Sequence, residues 1–391
     1  MIPVSEALAR LFSLVRVTDV ETVPLAEAHG RVLARDAVAR RTQPPFDASA
    51  MDGYAVRAAE AGQGAMLKVV GEAAAGHRFD GALPPQSAVR IFTGAPVPEG
   101  ADSILIQENA TAENGALRVD VSPSPGEYIR PAGGDFKAGE ALGAPCRLTA
   151  RNIALLAAMN IAEVIVHRRP TVALIPTGDE LVMPGETPGP DQIVTSNNFG
   201  LAAMLDEMGA VPRLCPIARD TPDSLVSALD SARDADLIVT LGGASVGDHD
   251  LVARVFGNEG LTLDFYKIAM RPGKPLMAGR LGTASMIGLP GNPVSAMVCG
   301  EIFLRPAVEA AMGLPAKPRD TISAEISHDL PANGPREHYM RAVLDSDGSC
   351  TVFENQDSSL VMTLSRANAL VVRAPRDDAV PRGNRVHCIP L

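Results

Sequence analysis

The sequence predicts an α/β multidomain protein, and its composition and two patterns along the chain carry this prediction. The 391 residues are 46% hydrophobic and 21% charged, which are globular proportions that exclude disorder of the whole chain. A chain of this length holds about two to four domains. Strand and helix patterns alternate from residue 171 onward, whereas short strands between Gly and Pro turns fill residues 42–136 and 318–391.

The middle of the chain predicts a parallel sheet that is covered on both faces. Continuous apolar strands are expected at residues 172–175, 237–241 and 286–289, with helices between them and a long helix from about 293 to 312. Strands that are apolar throughout are buried on both sides, and crossover helices provide the cover. Residues 169–316 are therefore assigned to a parallel-sheet α/β domain.

Shorter elements outside this domain predict three further units. Residues 42–136 have alternating runs between turns and indicate a β-rich insert domain. A helix near the N-terminus and another that begins at the N-cap Thr149 flank the insert. Residues 1–41 plus 137–168 are therefore expected to form a discontinuous α+β linking domain. Residues 317–391 return to short strands and predict a small C-terminal β domain.

Charge and residue usage exclude several classes of function. Lys plus Arg is 35 and Asp plus Glu is 46, so the formal net charge is −11. This acidity and the lack of Trp argue against a nucleic-acid partner, but a small anionic ligand responds only to its own pocket. The five Cys form no Cys-x-x-Cys pair, and no apolar run is long enough to span a bilayer. We expect a cytoplasmic protein with no membrane contact.

Polar segments follow three of the predicted strands, at the sheet edge where ligands of parallel α/β sheets bind. After the first strand, Glu180 is either a helix-start carboxylate or a ligand of a metal or substrate. After the second, Gly242 and Gly243 would let backbone N–H groups approach an anion. The same segment ends at Asp250, which could hold Mg²⁺ together with phosphate oxygens or merely cap a helix. It has no Lys at the position that a Walker A loop requires.

Two weaker candidates belong to the same region. After the third strand, Pro290 and Ser295 lie at the start of the long helix, where either an anion site or plain capping is expected. Asp220 also follows a strand, but Asp before Thr-Pro is more typical of a turn or a cap.

A cationic bend stands out in a chain with few basic clusters. Lys267, Arg271 and Lys274 lie within eight residues, and Pro and Gly stiffen the segment that holds them. Such a bend suits a phosphate or another oxyanion, and the alternative is a solvated hairpin rim.

Loops of the β-rich insert contain further candidates. Asp52 lies in a dense polar loop before a strand, and Thr93 follows the end of another. Arg130 and Asp135 place a cation and a carboxylate on either side of a Gly turn. A simple turn explains any one of these features taken alone.

Taken together, these segments resemble one family, the molybdopterin molybdenumtransferases, which include MoeA-type proteins and the E domain of gephyrin. The resemblance covers essentially the whole chain, and the segments occur in the order found in the family. The matching segments are residues 46–56 (FDASAMDGYAV), 92–95 (FTGA), 130–135, 176–181 (PTGDEL), 241–250 (LGGASVGDHD), 267–275 (KIAMRPGKP) and 289–295 (LPGNPVS).

The resemblance implies an elongated homodimer of four-domain subunits, with an α/β domain of the molybdopterin-binding type. The site would lie between the α/β and C-terminal domains of one subunit and the β-rich domain of the other. The implied reaction binds adenylylated molybdopterin with the cofactor Mg²⁺, inserts molybdate at the dithiolene and releases AMP. It also implies transient contact with a molybdopterin adenylyltransferase and with apo-molybdoenzymes.

The resemblance also implies roles for individual residues, with Asp250 and Glu180 as metal ligands. Catalytic roles fall on Asp52, Thr93, Glu180, Asp250, Lys267 and Lys274. Substrate-binding roles fall on Arg130, Asp135, Asp220, Gly242, Gly243, Ser245, Arg271, Pro290, Ser295, Arg341 and Ser358.

Two positions depart from the family pattern. Arg271 stands where many members have Lys, and a guanidinium differs in geometry from an ammonium. Residues 355–359 lack the Gly-Ser-Gly of many bacterial members, and Asp357 would repel molybdate unless its carboxylate points away.

Two alternative functions are weighed against this one. A molybdopterin adenylyltransferase-like protein or nucleotide-binding hydrolase would share the α/β domain, but such relatives lack the segments at 46–56 and 92–95. A non-catalytic dimeric scaffold would not need the carboxylates and lysines that this chain retains.

Overall fold

The structure is a computed structural model that describes residues 1–243 and 251–391. The first 41 residues contain helix α1 (Val4–Leu14) and strands β1 (Val20–Pro24), β2 (Val32–Leu33) and β3 (Ala37–Val38). The insert then contributes β4 (Ala48–Ser49), β5 (Gly53–Val56), β6 (Met66–Ala73), β7 (Ser87–Ile91), β8 (Ser103–Ile106), β9 (Ala110–Glu113), β10 (Ala116–Val119) and β11 (Ile129–Arg130). Six of these form one sheet in the order β8-β5-β7-β6-β10-β9, as expected for a β-rich domain.

The chain on the far side of the insert returns to the strands that precede it. It forms β12 (Ala141–Leu142), β13 (Cys146–Arg147), helix α2 (Ala150–Ala158) and β14 (Glu163–His167). The sheet order β1-β14-β2-β13 joins the two segments, and Thr149 caps α2 by accepting from the Asn152 N–H. Leu8 and Leu11 of helix α1 pack in the core of the α/β domain, and Val32 of β2 belongs to the same core.

The α/β domain alternates strands and helices as expected. Its elements are β15 (Thr171–Pro176), β16 (Leu181–Val182), β17 (Ile193–Val194), α3 (Asn197–Glu207), β18 (Val211–Leu214), α4 (Pro222–Asp230), β19 (Leu237–Leu241), α5 (Leu251–Asn258), β20 (Leu261–Tyr266), β21 (Met270–Arg271), β22 (Met277–Leu281), β23 (Ala284–Leu289), α6 (Pro293–Cys299) and α7 (Arg305–Ala311). A π-helical turn, Gly300–Leu304, separates α6 from α7 within the predicted long helix.

The sheet has the order β18-β15-β19-β23-β22-β20, and its first four strands are parallel. Alternate residues of β15 enter two different cores, with Leu174 on one face and Ile175 on the other, which explains its continuous apolar run. The structure adds an antiparallel edge to the predicted parallel sheet, because β20 and β22 are antiparallel to their neighbours. A tight turn at Gly282 joins β22 to β23, and so short a connection can only link antiparallel strands.

The C-terminal domain is a small closed β structure. It contains β24 (Ile322–Ile326), β25 (Glu337–Leu344), β26 (Ser349–Val352), α8 (Val361–Arg366), β27 (Ala369–Arg373) and β28 (Arg385–Pro390). The order β21-β25-β26-β24-β28-β27 has an additional β25–β27 pairing, so the sheet curls onto itself. Strand β21 places the cationic bend on this sheet, with Arg271 opposite His338. None of the helices within the described ranges is both long and apolar enough to cross a membrane.

Candidate active site

The carboxyl ends of β15, β19 and β23 meet at a cleft of about 710 Å³. Parallel strands end at the same edge of their sheet, so segments far apart in the sequence come together there. The sequence-predicted residues that line the cleft are Glu180, Asp220, Gly242, Gly243, Pro290 and Ser295.

Two glycines form the floor of this cleft, and the backbone requires them. Gly242 and Gly243 have φ of +96° and +68°, in the left-handed region that favours glycine. A Cβ on Gly243 would lie 2.2 Å from Cγ2 of Val252, and one on Gly242 would lie 2.8 Å from the Thr177 carbonyl oxygen. The Gly242 N–H donates to Leu289 O at 3.1 Å, so this glycine shapes the floor and does not offer its N–H to an anion.

Glu180 and Asp220 line the cleft, and Asp179 lies near Asp220. The Asp220 N–H donates to Oδ1 of Asp179 at 3.1 Å, and Glu180 folds back over Gly178. Burial, and then the charges of Asp179 and Glu180, raise the pKa of Asp220 above its ordinary value of 3.8. Arg219, which sequence reasoning missed, donates to three backbone carbonyls of residues 178–181 and holds this loop in place.

The donor set here fits a hard divalent cation that is completed by substrate oxygens. Within the described ranges, no three His, Cys, Asp or Glu side chains lie together as a preformed metal site. Mg²⁺ usually takes one or two carboxylates together with substrate phosphates, and Glu180 and Asp220 supply that number. The predicted metal ligand Asp250 and the predicted substrate ligand Ser245 lie outside the described residues.

Asp220→Asn is expected to raise the melting temperature slightly, on the order of 1 °C, at neutral pH in metal-free buffer. Because the pKa of Asp220 is raised on folding, ionisation costs more in the folded state. This cost is absent well below pH 3.8, grows as the pH rises through the unfolded and then the folded pKa, and is fully present at pH 7.

Added Mg²⁺ should stabilise the wild type more than the variant in thermal unfolding. The matched control is Asp191→Asn, an exposed carboxylate, and equal Mg²⁺ shifts in all three proteins would contradict the prediction.

The cationic bend lies beside this cleft but does not line it, apart from Pro275. Backbone bonds from Lys267 N–H to Leu276 O and from Ile268 N–H to Lys274 O hold the bend closed. The Lys267 ammonium lies 4.8 Å from the centre of the Tyr266 ring.

The two residues that depart from the family pattern line a second cavity of about 430 Å³. Arg271 and Asp357 lie in its wall together with His338, at the border of the C-terminal domain. The Ser359 hydroxyl and N–H donate to Asp357 and lower its pKa, so the carboxylate is ionised at neutral pH. Burial, and then Arg271 and other arginines, lower the pKa of His338 to about 4. The imidazole is therefore neutral at pH 7.

Two predicted substrate ligands have structural partners. Arg341 is 1% exposed and lines neither of the two cavities. Its guanidinium donates to Gln356 Oε1 at 3.2 Å and to the carbonyls of Leu360 and Asn355, and so positions the segment that contains Ser358. The Ser358 hydroxyl accepts from Asn292 Nδ2 at 2.9 Å and ties this segment to the cleft loop after β23.

A second group of predicted residues meets in the β-rich domain. The N–H and hydroxyl of Thr93 each donate to Asp52 Oδ1 at 2.8 Å. These bonds, with a smaller contribution from the charge of Arg90, lower the pKa of Asp52. Arg90, which no sequence motif indicated, lies 5.1 and 4.8 Å from the ring centres of Tyr54 and Phe92.

The structure therefore does not bring all the predicted residues together within one chain. Arg130 ends strand β11 and Asp135 follows it on a loop, and both are exposed on the same β-rich domain as Asp52. None of the described residues of that domain lines the cleft. One chain thus carries two partial groups of polar residues instead of a single assembled site.

Three family models together match most of this chain. Residues 2–160 match the MoeA N-terminal region (domain I and II), residues 173–310 match a model described as "Probable molybdopterin binding domain", and residues 323–391 match the MoeA C-terminal region (domain IV). Fold and matches together define the class as MoeA-type enzymes of molybdenum cofactor biosynthesis.

Named relatives narrow this class. The chain is 36% identical to a molybdopterin molybdenumtransferase of Nostoc sp., over 95% of this chain and 89% of that protein. It is 38% identical to molybdopterin molybdenumtransferase 2 of Mycobacterium tuberculosis, over 90% of each chain. A crystal structure of a molybdopterin biosynthesis MoeA protein from Pyrococcus horikoshii superposes with a TM-score of 0.88 at 26% identity, covering 100% of both chains. The chain belongs to the molybdopterin molybdenumtransferase family.

Proposed function

We propose that this protein inserts molybdenum from molybdate into adenylylated molybdopterin, in a Mg²⁺-dependent reaction that releases AMP. The observation that supports this most is the cleft at the strand ends, where a glycine floor lies beside the carboxylates Glu180 and Asp220. Its volume of about 710 Å³ falls within the range of pockets that enclose small-molecule ligands.

The groups in the cleft suggest a division of labour. Glu180 and Asp220 would hold Mg²⁺, which when bound offsets negative charge on the phosphoanhydride. Gly242 and Gly243 line the cleft and carry no side chains of their own, so a substrate can approach their backbone closely. We assign Lys267 and Lys274, on the neighbouring bend, to neutralising the charge that develops as AMP leaves.

We also propose that the active unit is a homodimer. The Asp52–Thr93 pair and the cleft lie on separate domains, and a partner subunit would bring the pair of one chain to the cleft of the other. Transient contacts with a molybdopterin adenylyltransferase and with apo-molybdoenzymes in the cytoplasm complete the proposal.

The test is to combine the protein with adenylylated molybdopterin, Mg²⁺ and molybdate. We expect AMP release together with activation of an apo-molybdoenzyme, and loss of both when EDTA removes the divalent cation. Folded protein that yields neither product would refute the function. AMP release without active cofactor would instead favour a nucleotide-binding hydrolase, an alternative that does not account for the match over residues 2–160.

A further inference from the structure

The cleft carries little positive charge for a site that takes a phosphorylated substrate. Glu180 and Asp220 both line it, whereas the predicted cations Lys267, Arg271 and Lys274 do not. Among the described residues that line the cleft, the one basic side chain is Arg254. It belongs to none of the segments that resemble the family, so sequence reasoning passed over it.

The packing of helix α5 determines which of its faces borders the cleft. Val252, Val255 and Phe256 are buried in the core between this helix and the sheet. Leu251 and Arg254 are three residues apart, which places them on one side of a helix, and both line the cleft. Val252 also packs against the floor at Gly243, so the helix and the floor are held together.

The Arg254 side chain is exposed and takes part in none of the ion pairs or hydrogen bonds found among the described residues. Other surface arginines of the α/β domain are paired, as Arg213 is with Asp234 and Arg233 is with Asp230 and Glu259. A guanidinium has five N–H donors in a planar fork that matches phosphate oxygens.

We propose that Arg254 binds a phosphate oxygen of the adenylylated substrate in the cleft that Glu180 and Asp220 also line. This inference rests on the proposed function and adds to it a residue outside the family motifs. A guanidinium that binds one phosphate oxygen, together with carboxylates that would hold Mg²⁺, would restrict the orientation of the phosphoanhydride in the cleft.

The experiment measures binding of AMP with Mg²⁺ by calorimetry, and the steady-state kinetics of AMP release. Arg254→Gln should weaken AMP binding about tenfold, in line with the loss of one charge-assisted hydrogen bond. It should also raise KM for adenylylated molybdopterin about tenfold, while kcat changes by less than about threefold. This pattern is expected when the lost contact stabilises the bound substrate and the transition state equally. Arg254→Lys should recover part of the affinity, since it keeps the charge without the fork.

A matched control is Arg151→Gln, which removes an exposed arginine from the first turn of helix α2 and causes the same change in net charge. It should leave AMP affinity and KM unchanged, and thermal unfolding should show that all three variants are folded. Wild-type affinity and KM in Arg254→Gln, or an equal loss in Arg151→Gln, would overturn the inference while AMP release stays intact. If Arg254→Gln weakens AMP binding but the wild type never releases AMP from the substrate, the proposed function is refuted and the binding role of Arg254 remains supported. A wild type that does not bind AMP would overturn the inference.

Discussion

A mixture of two inactive variants, Asp52→Ala and Glu180→Gln, is expected to recover about a quarter of the wild-type rate of AMP release. Each variant alone should lose at least about 100-fold, as expected when a charged group at a reaction centre is removed. Random exchange of subunits makes about half of the dimers hybrid. Each hybrid has one site in which an intact Asp52 faces an intact Glu180, and a second site in which both are lost.

The structural reason for this prediction is the separation of the two groups. Asp52 accepts two hydrogen bonds from Thr93 in the β-rich domain, whereas Glu180 lines the cleft of the α/β domain. Asp52 precedes strand β5 and is not part of the core, so its loss should leave the fold and the dimer intact.

The control for complementation mixes two variants of the same cleft, Glu180→Gln and Asp220→Asn. Every site in such hybrids contains one altered cleft, so no recovery is expected. Mass spectrometry of labelled subunits would show that exchange took place. Recovery in the same-cleft mixture, or none in the Asp52 mixture despite exchange, would contradict a site that is shared between subunits.

Gly243→Ala is expected to destabilise the fold and to abolish turnover. The residue has φ of +68°, where a side chain costs about 1–2 kcal/mol. Its Cβ would also lie 2.2 Å from Cγ2 of Val252. Val252 is buried on a helix, where a β-branched side chain has essentially one rotamer, so the floor or the helix must move. Thermal unfolding and AMP release measure the two effects.

Gly257→Ala is the matched control for that substitution. Gly257 lies in the same helix, α5, and a Cβ there would meet nothing within 4 Å. Replacing a helical glycine by alanine should stabilise by about 0.5–1 kcal/mol, because alanine has the higher helix propensity. Activity should stay at the wild-type level. A Gly243→Ala protein that is as stable and active as Gly257→Ala would show that the floor tolerates a side chain.

The strands that line the site could be predicted because a strand buried on both faces is apolar at almost every position of its sequence. Strand β19 is buried along its whole length and its bounds, Leu237–Leu241, are those predicted. The antiparallel edge could not be predicted in this way, since β20 and β22 carry no pattern that specifies strand direction. The sequence also could not predict which core α1 joins, because an apolar helical face does not specify its packing partner.

The site residues likewise fall into those that the sequence indicates and those that it does not. Glu180, Asp220 and the glycines were found because each follows a predicted strand, and strand ends of a parallel sheet converge. Arg254 and Arg90 were missed because each lies in the interior of a regular element, where a lone charged residue is indistinguishable from a solvated one. The partners of Arg341 could not be predicted, because a cation in a sequence does not reveal what it contacts, and here those contacts are mostly backbone carbonyls.

The class of fold, the order of its units and the family of the chain could all be inferred from the amino-acid sequence, because they depend on local pattern and on motif order. Which side chains share a cavity became known from the three-dimensional packing alone. Interactions between residues far apart in the chain follow from the packing of whole elements. Examples are the charge of Glu180 acting on Asp220 and the hydrogen bond from Thr93 to Asp52. The net charge of −11 shows the same limit, since the charges that meet an anionic ligand are those of one cleft.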